Sequence, residues 1–280
     1  MMAERGRVWL ITGVSSGFGR ELACAALARG DTVAGTLRQE SQLASFEALA
    51  PGRARAYRLD VTDGAAVTTV VQRMVKDCGR IDVLVNNAGF GLVGVAEEVS
   101  DPEARRLFDT NFFGVLNVVR AALPQFRAQR SGHIVNLSSV AGTIGIPGMA
   151  LYSASKFAVE GLTESLAGEV GPLGIRVTIV EPGGFRTDFA GRSIGKSGTV
   201  LQDYADTPGG KLRGMLAAYH GHEPGDPGKA AQAILKLVDS PTPPLRLALG
   251  ADALGPLRDR LARVARDYED WQAVTAATSL

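Results

Sequence analysis

The stretch Thr12-Gly13-Val14-Ser15-Ser16-Gly17-Phe18-Gly19 decides the fold, because it joins an apolar run to a helical pattern. The run, Val8 to Ile11, is typical of a buried strand, and the apolar residues between 22 and 27 recur at helical spacing. Backbone N–H groups point outward where a glycine turn meets a helix N-terminus, and the helix dipole favours an anion there. The sequence therefore predicts a phosphate-binding loop, with an ordinary tight turn as the alternative interpretation.

The three glycines of this loop have separate predicted roles. Gly13 permits the tight turn, Gly17 allows a pyrophosphate to approach, and Gly19 allows helix and strand to pack closely. Such a loop is informative only at the first strand of a chain that alternates strands and helices. The rest of the sequence meets that condition.

Strand-like and helix-like segments alternate along most of the chain. Six apolar strand patterns precede residue 183, and Leu245 to Leu249 is a candidate seventh, edge strand. Strands that are apolar on both faces indicate a parallel sheet covered by helices on both sides. The sequence predicts an α/β, doubly wound Rossmann fold with a seven-stranded, mostly parallel sheet, formed by one domain over residues 1–280. Residues 190–225, rich in Gly, Ser and Asp, are interpreted as a mobile substrate lid, and residues 250–280 as a helical C-terminal extension.

The composition excludes several classes of protein. The 280 residues carry 30 Lys and Arg against 29 Asp and Glu, so no charge excess would attract nucleic acid or an anionic membrane. No apolar run approaches the roughly 18 residues of a membrane span, and the N-terminus has too short an apolar part for a signal peptide. Two distant cysteines, Cys24 and Cys78, build neither a disulfide framework nor a zinc site. We therefore expect a cytoplasmic protein without a metal, a nucleic-acid partner or a membrane partner.

The glycine spacing of the loop is T-G-x-x-x-G-x-G, which differs from the G-x-G-x-x-G of many dehydrogenases. At this point the chain resembles the short-chain dehydrogenase/reductase family. The segments Thr36-Leu37-Arg38 and Gly184-Phe185-Arg186-Thr187 resemble its branch of hydroxysteroid and retinol dehydrogenases. Further family motifs follow in family order and at family spacing, over roughly residues 7 to 190: Asn86-Asn87-Ala88-Gly89, Ser138-Ser139, Tyr152-Ser153-Ala154-Ser155-Lys156, and Pro182-Gly183 with Thr187.

The end of the second strand selects the dinucleotide. An acidic side chain there binds the ribose 2′-hydroxyl of NAD and repels a 2′-phosphate. The family's acidic position falls on Leu37, and the next residue, Arg38, suits a phosphate through paired hydrogen bonds. The sequence therefore favours NADP(H) over NAD(H), unless Arg38 only covers the adenine. Asp60-Val61 resembles the family's adenine-contacting pair, although a strand-end Asp60 near a helix cap is the alternative.

The resemblance implies a full set of cofactor contacts. Residues 87–89 would line the ribose and the nicotinamide, and the loop at Pro182 together with the Thr187 hydroxyl would fix the carboxamide. The set comprises Thr12, Gly13, Ser15, Ser16, Gly17, Phe18, Gly19, Arg38, Asp60, Val61, Asn87, Ala88, Gly89, Tyr152, Lys156, Pro182, Gly183, Phe185 and Thr187.

Tyr152 and Lys156 stand four residues apart on a predicted helix, so both project from one face. Carbonyl reduction needs a proton donor beside the carbonyl oxygen, but a free tyrosine titrates only near pH ~10. A lysine cation nearby stabilises the phenolate, so we expect Lys156 to lower the pKa of Tyr152. A solvated helix face is the alternative interpretation of the pair.

Two further residues complete the predicted catalytic group. Ser139 ends the fifth strand, thirteen positions before Tyr152, at the sheet edge that faces ligands in this architecture. Its hydroxyl would hold the substrate oxygen, and family spacing favours it over Ser138. Asn111 falls on the buried side of a predicted helix, and the resemblance implies that it holds a water linking Lys156 to solvent. The alternative is a helix-bending amide that the backbone satisfies.

Together these residues predict an NADP(H)-dependent oxidoreductase that interconverts a secondary alcohol and a ketone or aldehyde. Two alternatives stay open, a dinucleotide-sensing regulator without catalysis and a nucleotide-sugar epimerase or dehydratase on the same fold. Extra apolar residues on the helices around Asn111 and after Tyr152 predict a homodimer or homotetramer. The expected walls of the site are mostly apolar and predict an apolar substrate: Phe90, Leu92, Ile146, Met149, Phe185 and residues 190–225.

Overall fold

The computed structural model describes residues 6–279, and within that range the chain alternates strands with helices as predicted. The strands are β1 Val8–Thr12, β2 Thr32–Leu37, β3 Ala54–Arg58, β4 Val83–Asn86, β5 Gly91–Val93, β6 Gly132–Leu137, β7 Ile175–Pro182, β8 Ile194–Lys196 and β9 Arg246–Leu249. The helices are α1 Gly17–Ala28, α2 Leu43–Glu47, α3 Gly64–Cys78, α4 Asp101–Phe108, α5 Gly114–Gln129, α6 Ala150–Val170, α7 Pro208–Tyr219, α8 Pro227–Asp239, α9 Ala251–Asp270 and α10 Gln272–Ala276.

Seven strands form one sheet in the order β3-β2-β1-β4-β6-β7-β9, and each neighbouring pair is parallel. The predicted doubly wound, seven-stranded fold is therefore confirmed, with the predicted edge strand as β9. The order changes direction between β1 and β4. In sheets of this kind, ligands bind at such a switch point, outside the carboxyl ends of the strands.

The strand register brings the site-bearing loops to one edge. Thr12 lies opposite Thr36, Asn86 opposite Asn136, and Leu137 opposite Val180. Because parallel strands all run toward the same edge, the loops after β1, β4, β6 and β7 open side by side.

Two apolar cores hold the helices on the sheet. Each residue of β1 is buried, and alternate side chains enter opposite cores because successive strand residues point to opposite faces. Trp9 and Ile11 belong to the core under α1 and α8, whereas Val8 and Leu10 belong to the core under α3, α5 and α6. This double burial explains why β1 is a continuous apolar run.

The 190–225 segment has more regular structure than its composition indicates. It contains β8, which pairs with β5 in a small parallel sheet, and the helix α7. Polar contacts tie it to the body. The carboxylate of Glu98 is buried, accepts a hydrogen bond from the Leu201 N–H at 2.9 Å, and pairs with Arg213 at 3.0 Å. Tyr204 donates to Glu97 at 2.7 Å.

The C-terminal helices α9 and α10 are mostly exposed. In α9, only Ala253 and Leu257 are buried, while the side chains of Leu261 and Tyr268 are 65% and 74% exposed. Within the part of the chain that the structure describes, no helix has the length and apolar character needed to cross a membrane.

Candidate active site

The predicted phosphate loop has the backbone shape that its glycines permit. Gly13 and Gly17 have φ values of 72° and 57°, a region that side chains disfavour. A Cβ atom at Gly19 would overlap the carbonyl oxygen of Gly13 and the side-chain nitrogen of Asn87. Gly19 thus allows close packing, as predicted, but the close neighbours are the loop itself and Asn87.

Thr12 and Asn87 hold this loop in place with their own polar atoms. Asn87 Nδ2 donates to the carbonyl oxygens of Thr12 and Gly13, both at 2.9 Å. Thr12 Oγ1 accepts from the N–H groups of Asn87 and Ala88, both at 3.0 Å. Thr12 and Asn87 were predicted as cofactor contacts. In this structure their polar atoms join the end of β1 to the loop after β4.

The loop presents donors that fit a phosphate. Ser16 precedes α1 in an extended conformation and its side chain makes no capping hydrogen bond, while Ser15 is exposed. The first N–H groups of a helix have no intrahelical partner, so they attract an anion. Phe18 packs edge-on against Phe185, with ring centres 5.0 Å apart. The backbone shape and the donor set fit the diphosphate of a dinucleotide.

The predicted adenine end lies across β2 and β3. Leu37 is buried in the core, so its side chain is held away from solvent, whereas Arg38 is exposed. Asp60 Oδ1 accepts from the N–H and the hydroxyl of Thr62 at 3.0 and 2.9 Å, which leaves its other oxygen for a ligand. Val61 is buried and packs where Gly114 has no side chain. Part of the Asp60 carboxylate therefore serves the turn, as the alternative interpretation held.

The loop after β7 forms the predicted nicotinamide end. Pro182 pairs with Leu249 of β9, and the Gly183 N–H donates to the Leu249 carbonyl at 2.9 Å. The Thr187 side chain lies 3.6 Å from the position that a Cβ of Gly17 would occupy. The two loops thus meet. A cleft of about 320 Å³ beside them is lined by Gly17, Glu21, Arg186, Thr187, Asp188, His220, Gly221, Glu223 and Pro227.

Tyr152 lies buried in the first turn of α6, 5% exposed. Burial raises its pKa to about 12, and a hydrogen bond with Ser139 opposes that rise. The sequence predicted a lowered pKa, so the net direction is the opposite. The physical reason is that the ring is desolvated, while Lys156 Nζ stands 6.0 Å from the ring centre.

Lys156 is buried one turn further along α6. Its Nζ donates to the carbonyl oxygen of Leu137, at the end of β6, at 2.7 Å. Burial lowers its pKa to about 8, and the carboxylate of Glu160 opposes that fall. Lys156 therefore stays mostly charged at neutral pH and loses its charge in mildly alkaline solution.

Asn111 lies in a π-helical turn, Asp109–Phe113, between α4 and α5. Its Oδ1 accepts from the Phe90 N–H at 3.0 Å, and its Nδ2 donates to the Phe90 carbonyl and to Ser155 Oγ at 2.9 and 3.2 Å. The backbone thus satisfies much of this amide, as the alternative interpretation required. A Cβ at Gly89 would lie 3.1 Å from Asn111 Oδ1 and 3.8 Å from Lys156 Nζ, so both side chains face one small gap.

An apolar cluster surrounds Tyr152. Phe189, which the sequence analysis missed, packs on the Tyr152 ring with ring centres 5.5 Å apart. Its only sequence signal is its position two residues after Thr187. Four of the predicted walls join the cluster, together with Ile194, Leu212 and Leu216 of the 190–225 segment: Phe90, Leu92, Ile146 and Met149.

Two predicted wall residues lie elsewhere. Phe185 belongs to the core under α1, against Phe18, so it does not line the Tyr152 cluster. Met215 falls within residues 190–225, which were expected to wall the site, but it is 63% exposed because the face of α7 that carries Leu212 and Leu216 packs inward instead. His220 lies 3.6 Å from the buried carboxylate of Glu223, at the cleft beside the phosphate loop.

Residues 7–196, more than half of the chain, match the short chain dehydrogenase family. The chain belongs to this family. It is therefore an oxidoreductase, and the class of enzyme predicted from the sequence is confirmed.

Two curated relatives cover most of the chain. The 3-ketodihydrosphingosine reductase of Bacteroides thetaiotaomicron is 41% identical over 246 residues, covering 87% of this chain and 88% of the relative. Retinol dehydrogenase 8 of Homo sapiens is 38% identical over 260 residues, covering 88% of this chain and 82% of the relative. Both are oxidoreductases by name, in agreement with the family.

Solved structures share the whole fold. A crystal structure of a short-chain dehydrogenase from Streptomyces avermitilis is 46% identical, with a TM-score of 0.91, and covers 98% of this chain and 100% of its own. ElxO with NADP bound is 29% identical, with a TM-score of 0.73, and covers 89% and 99%. A Burkholderia phymatum member in complex with NAD is 26% identical, with a TM-score of 0.82, and covers 95% and 97%. Solved structures of similar proteins thus contain either NADP or NAD.

Proposed function

We propose that this protein is an NADP(H)-dependent oxidoreductase that interconverts a secondary alcohol and a ketone or aldehyde on an apolar substrate. The observation that carries the proposal is the buried phenol of Tyr152, which lies beside Ser139 and Lys156 within an apolar cluster. A buried phenol keeps its proton near neutral pH and has it available for a substrate oxygen. A protein that only senses a dinucleotide has no need of such a group.

The phosphate loop, the β2 end and the loop after β7 would hold the dinucleotide. The uncapped start of α1 suits the diphosphate, the exposed Arg38 suits a 2′-phosphate, and Thr187 suits the carboxamide. When bound, the nicotinamide supplies or accepts the hydride. The NADP complex of ElxO supports the preference for NADP(H). The NAD complex of the Burkholderia phymatum member makes NAD(H) the alternative cofactor.

In this proposal each side chain has one task. Ser139 Oγ accepts a hydrogen bond from the Ala141 N–H at 3.1 Å, and its hydroxyl, which hydrogen-bonds Tyr152 in this structure, would donate to the substrate oxygen once a substrate binds. Tyr152 gives its proton to that oxygen in reduction and takes it back in oxidation. Lys156 contacts the ribose and stabilises the phenolate that forms. Asn111 and Lys156 both approach Gly89, and a water held between them would link Lys156 to solvent.

An apolar substrate fits the cluster around Tyr152 and the names of the relatives. One relative is named for a ketone of dihydrosphingosine and another for retinol, and both compounds have long hydrocarbon parts. Both cysteines are free thiols, in keeping with the cytoplasmic location that we propose.

Incubation with NADPH and a panel of apolar ketones and aldehydes tests the proposed function. We expect NADPH absorbance to fall with at least one long-chain ketone, and a matching alcohol to be oxidised with NADP. A dinucleotide sensor would bind NADPH without turnover. An epimerase or dehydratase would convert a nucleotide sugar with no net change in the cofactor.

Arg38→Asp should reverse the cofactor preference. The carboxylate repels a 2′-phosphate and removes charge-assisted hydrogen bonds worth about 1.5–3 kcal/mol each, so NADPH affinity should fall about tenfold or more. Dissociation constants for NADPH and NADH, measured by fluorescence titration, provide the check. Arg58→Asp is the control, because Arg58 is a nearby exposed arginine that faces Glu40 at 3.9 Å. Equal affinities of the original protein for both dinucleotides would refute the preference.

We propose that residues 190–225 close over the bound substrate. Hydrogen exchange in α7 should be fast in the protein alone and slow with cofactor plus substrate, because the apolar face that packs near Tyr152 would gain the substrate as a further partner in the closed state. The segment around Leu201 should change less, because its backbone N–H donates to the buried Glu98, whereas α7 contacts Glu98 only through the Arg213 side chain. Protection of α7 in the free protein equal to that of the sheet strands would show a fixed wall.

We also propose a homodimer or homotetramer built on α5, α6 and the turn before α5. Phe113 and Phe157 are 48% and 39% exposed there, so two large apolar rings are available for a partner copy to cover. Sedimentation at micromolar concentration should give a dimer or tetramer, and Phe113→Glu with Phe157→Glu should give monomers. Leu261→Glu on α9 should leave the size unchanged. If Leu261→Glu alone gave monomers, the interface would instead lie on the C-terminal helix α9.

A further inference from the structure

The face of α6 that carries Tyr152 and Lys156 continues, at four-residue spacing, to Glu160 and Glu164. The two glutamates have different surroundings. The side chain of Glu160 is 8% exposed, whereas that of Glu164 is 61% exposed. Burying a carboxylate costs free energy unless charges or hydrogen bonds compensate it, so Glu160 must have compensating groups nearby.

Glu160 belongs to a charge cluster that spans α6, β7 and β9 and joins two buried carboxylates to an arginine that is 39% exposed. Glu181 of β7 is also buried, and Arg246 of β9 lies between the two carboxylates. The Arg246 Nε is 3.4 Å from Glu160 Oε2 and 3.6 Å from Glu181 Oε1. The same guanidinium reaches Glu164 at 2.9 Å, at the surface. Two buried carboxylates therefore share one guanidinium, and Lys156 stands one helical turn before Glu160 on the same face of α6.

The cluster also supports the loop that presents Ser139. Thr143 donates from its hydroxyl to Glu181 Oε1 at 3.1 Å. A Cβ at Gly142 would lie 3.0 Å from Glu160 Oε1 and would overlap the hydroxyl of Ser138, so the loop rests directly on the carboxylate. Residues 138–143 thus contact both glutamates, Glu160 at Gly142 and Glu181 through Thr143.

We propose that Glu160 is a positioning residue for the proposed reaction: through Arg246 and Glu181 it seats the loop that presents Ser139, and its carboxylate sustains the charge of Lys156. This inference rests on the proposed function, in which Lys156 must be charged. Glu160 acts on that residue along α6 and touches no reacting atom.

The charge of Glu160 depends on pH. Burial raises its pKa to about 7, and Glu181 adds to the rise. A hydrogen bond with Ser138, and the charges of Arg246 and Lys156, oppose it. Burial also raises the pKa of Glu181. The pKa of Glu160 in the folded state exceeds the unfolded value of 4.5. Between pH 4.5 and about 7 the folded state therefore binds a proton that the unfolded state has lost. Its stabilising contribution is therefore present in acid and is lost as the pH rises through about 7.

Titration of Lys156 tests the inference without any turnover. The chain has six lysines, so isotope-labelled lysine gives a resolvable NMR spectrum, with Lys156 assigned by Lys156→Met. In Glu160→Gln the titration of Lys156 should move to lower pH by up to about one unit, because a compensating charge is gone. Glu164→Gln is the matched control: it removes a carboxylate from the same helix face and the same arginine, and should leave Lys156 unchanged.

Two further measurements follow the same variants. The alkaline limb of the kcat/KM profile should move to lower pH in Glu160→Gln and stay in place in Glu164→Gln. Thermal unfolding of the cofactor-free protein should show that the original chain loses stability relative to Glu160→Gln between pH 5 and pH 8. If Glu160 had only a structural role, Glu160→Gln would be less stable than the original chain at every pH. Neither the Lys156 titration nor the alkaline limb of kcat/KM would then move.

If Lys156 titrates at the same pH in Glu160→Gln as in the original chain, the inference is overturned. This result does not depend on which substrate the enzyme converts. Should that variant fail to fold, Glu181→Gln replaces it: removing the neighbouring carboxylate should shift the pH-dependent loss of stability to lower pH. Absence of turnover in the original protein would instead refute the proposed function, since the NMR and unfolding measurements need no substrate.

Discussion

Tyr152→Phe should lower kcat by about 10²–10⁴-fold while the affinity for NADPH stays nearly unchanged. The substitution keeps the ring, its contact with Phe189 and its burial, but removes the proton that the substrate oxygen is expected to receive. Single-turnover absorbance measurements of NADPH with an accepted ketone provide the check. Because the phenol is buried, no solvent acid is placed to replace it.

Tyr57→Phe is the matched control for this prediction. Tyr57 is also buried, and its hydroxyl donates to Asp77 at 3.0 Å, on the β3 side of the sheet and away from the cluster around Tyr152. Losing that hydrogen bond should cost about 1 kcal/mol of stability and leave kcat unchanged. Full activity in Tyr152→Phe would require another proton donor and would remove Tyr152 from the mechanism.

The sheet could be predicted from the sequence because its strands are apolar on both faces. β1 is the clearest case, since each of its residues enters one of the two cores. The small β5–β8 sheet could not be predicted. Its strands have three residues each and contain Gly91 and Gly195, so neither shows a periodic pattern, and their pairing joins segments about one hundred residues apart.

The candidate site divides in the same way. Tyr152 and Lys156 follow from helical spacing alone, because the α6 backbone fixes which residues share a face. The surroundings of these residues depend on tertiary packing, which no local pattern records. A glutamate at position 160 is typical of a solvated helix face, yet β9 covers it with Arg246. For the same reason, the burial that raises the pKa of Tyr152 outweighs the lysine that the sequence emphasised.

Gly19→Ala should destabilise the fold by about 1–3 kcal/mol and weaken NADPH binding by about tenfold or more. The added methyl group would overlap the Gly13 carbonyl, which is backbone and cannot rotate away. It would also displace Asn87, whose two hydrogen bonds fix the loop after β1. Both shifts redirect the N–H groups that are expected to face the diphosphate. Urea unfolding and a fluorescence titration with NADPH measure the two effects.

Gly255→Ala separates this mechanism from the general effect of a helical glycine. Gly255 lies inside α9, as Gly19 lies inside α1, but a Cβ at position 255 would meet no atom within 4 Å. Alanine is favoured over glycine in a helix by about 1 kcal/mol, so Gly255→Ala should be neutral or stabilising and should bind NADPH normally. If Gly19→Ala behaved like this control, the loop would tolerate a side chain at position 19. The close approach of Gly13, Gly19 and Asn87 would then not be what shapes the dinucleotide site.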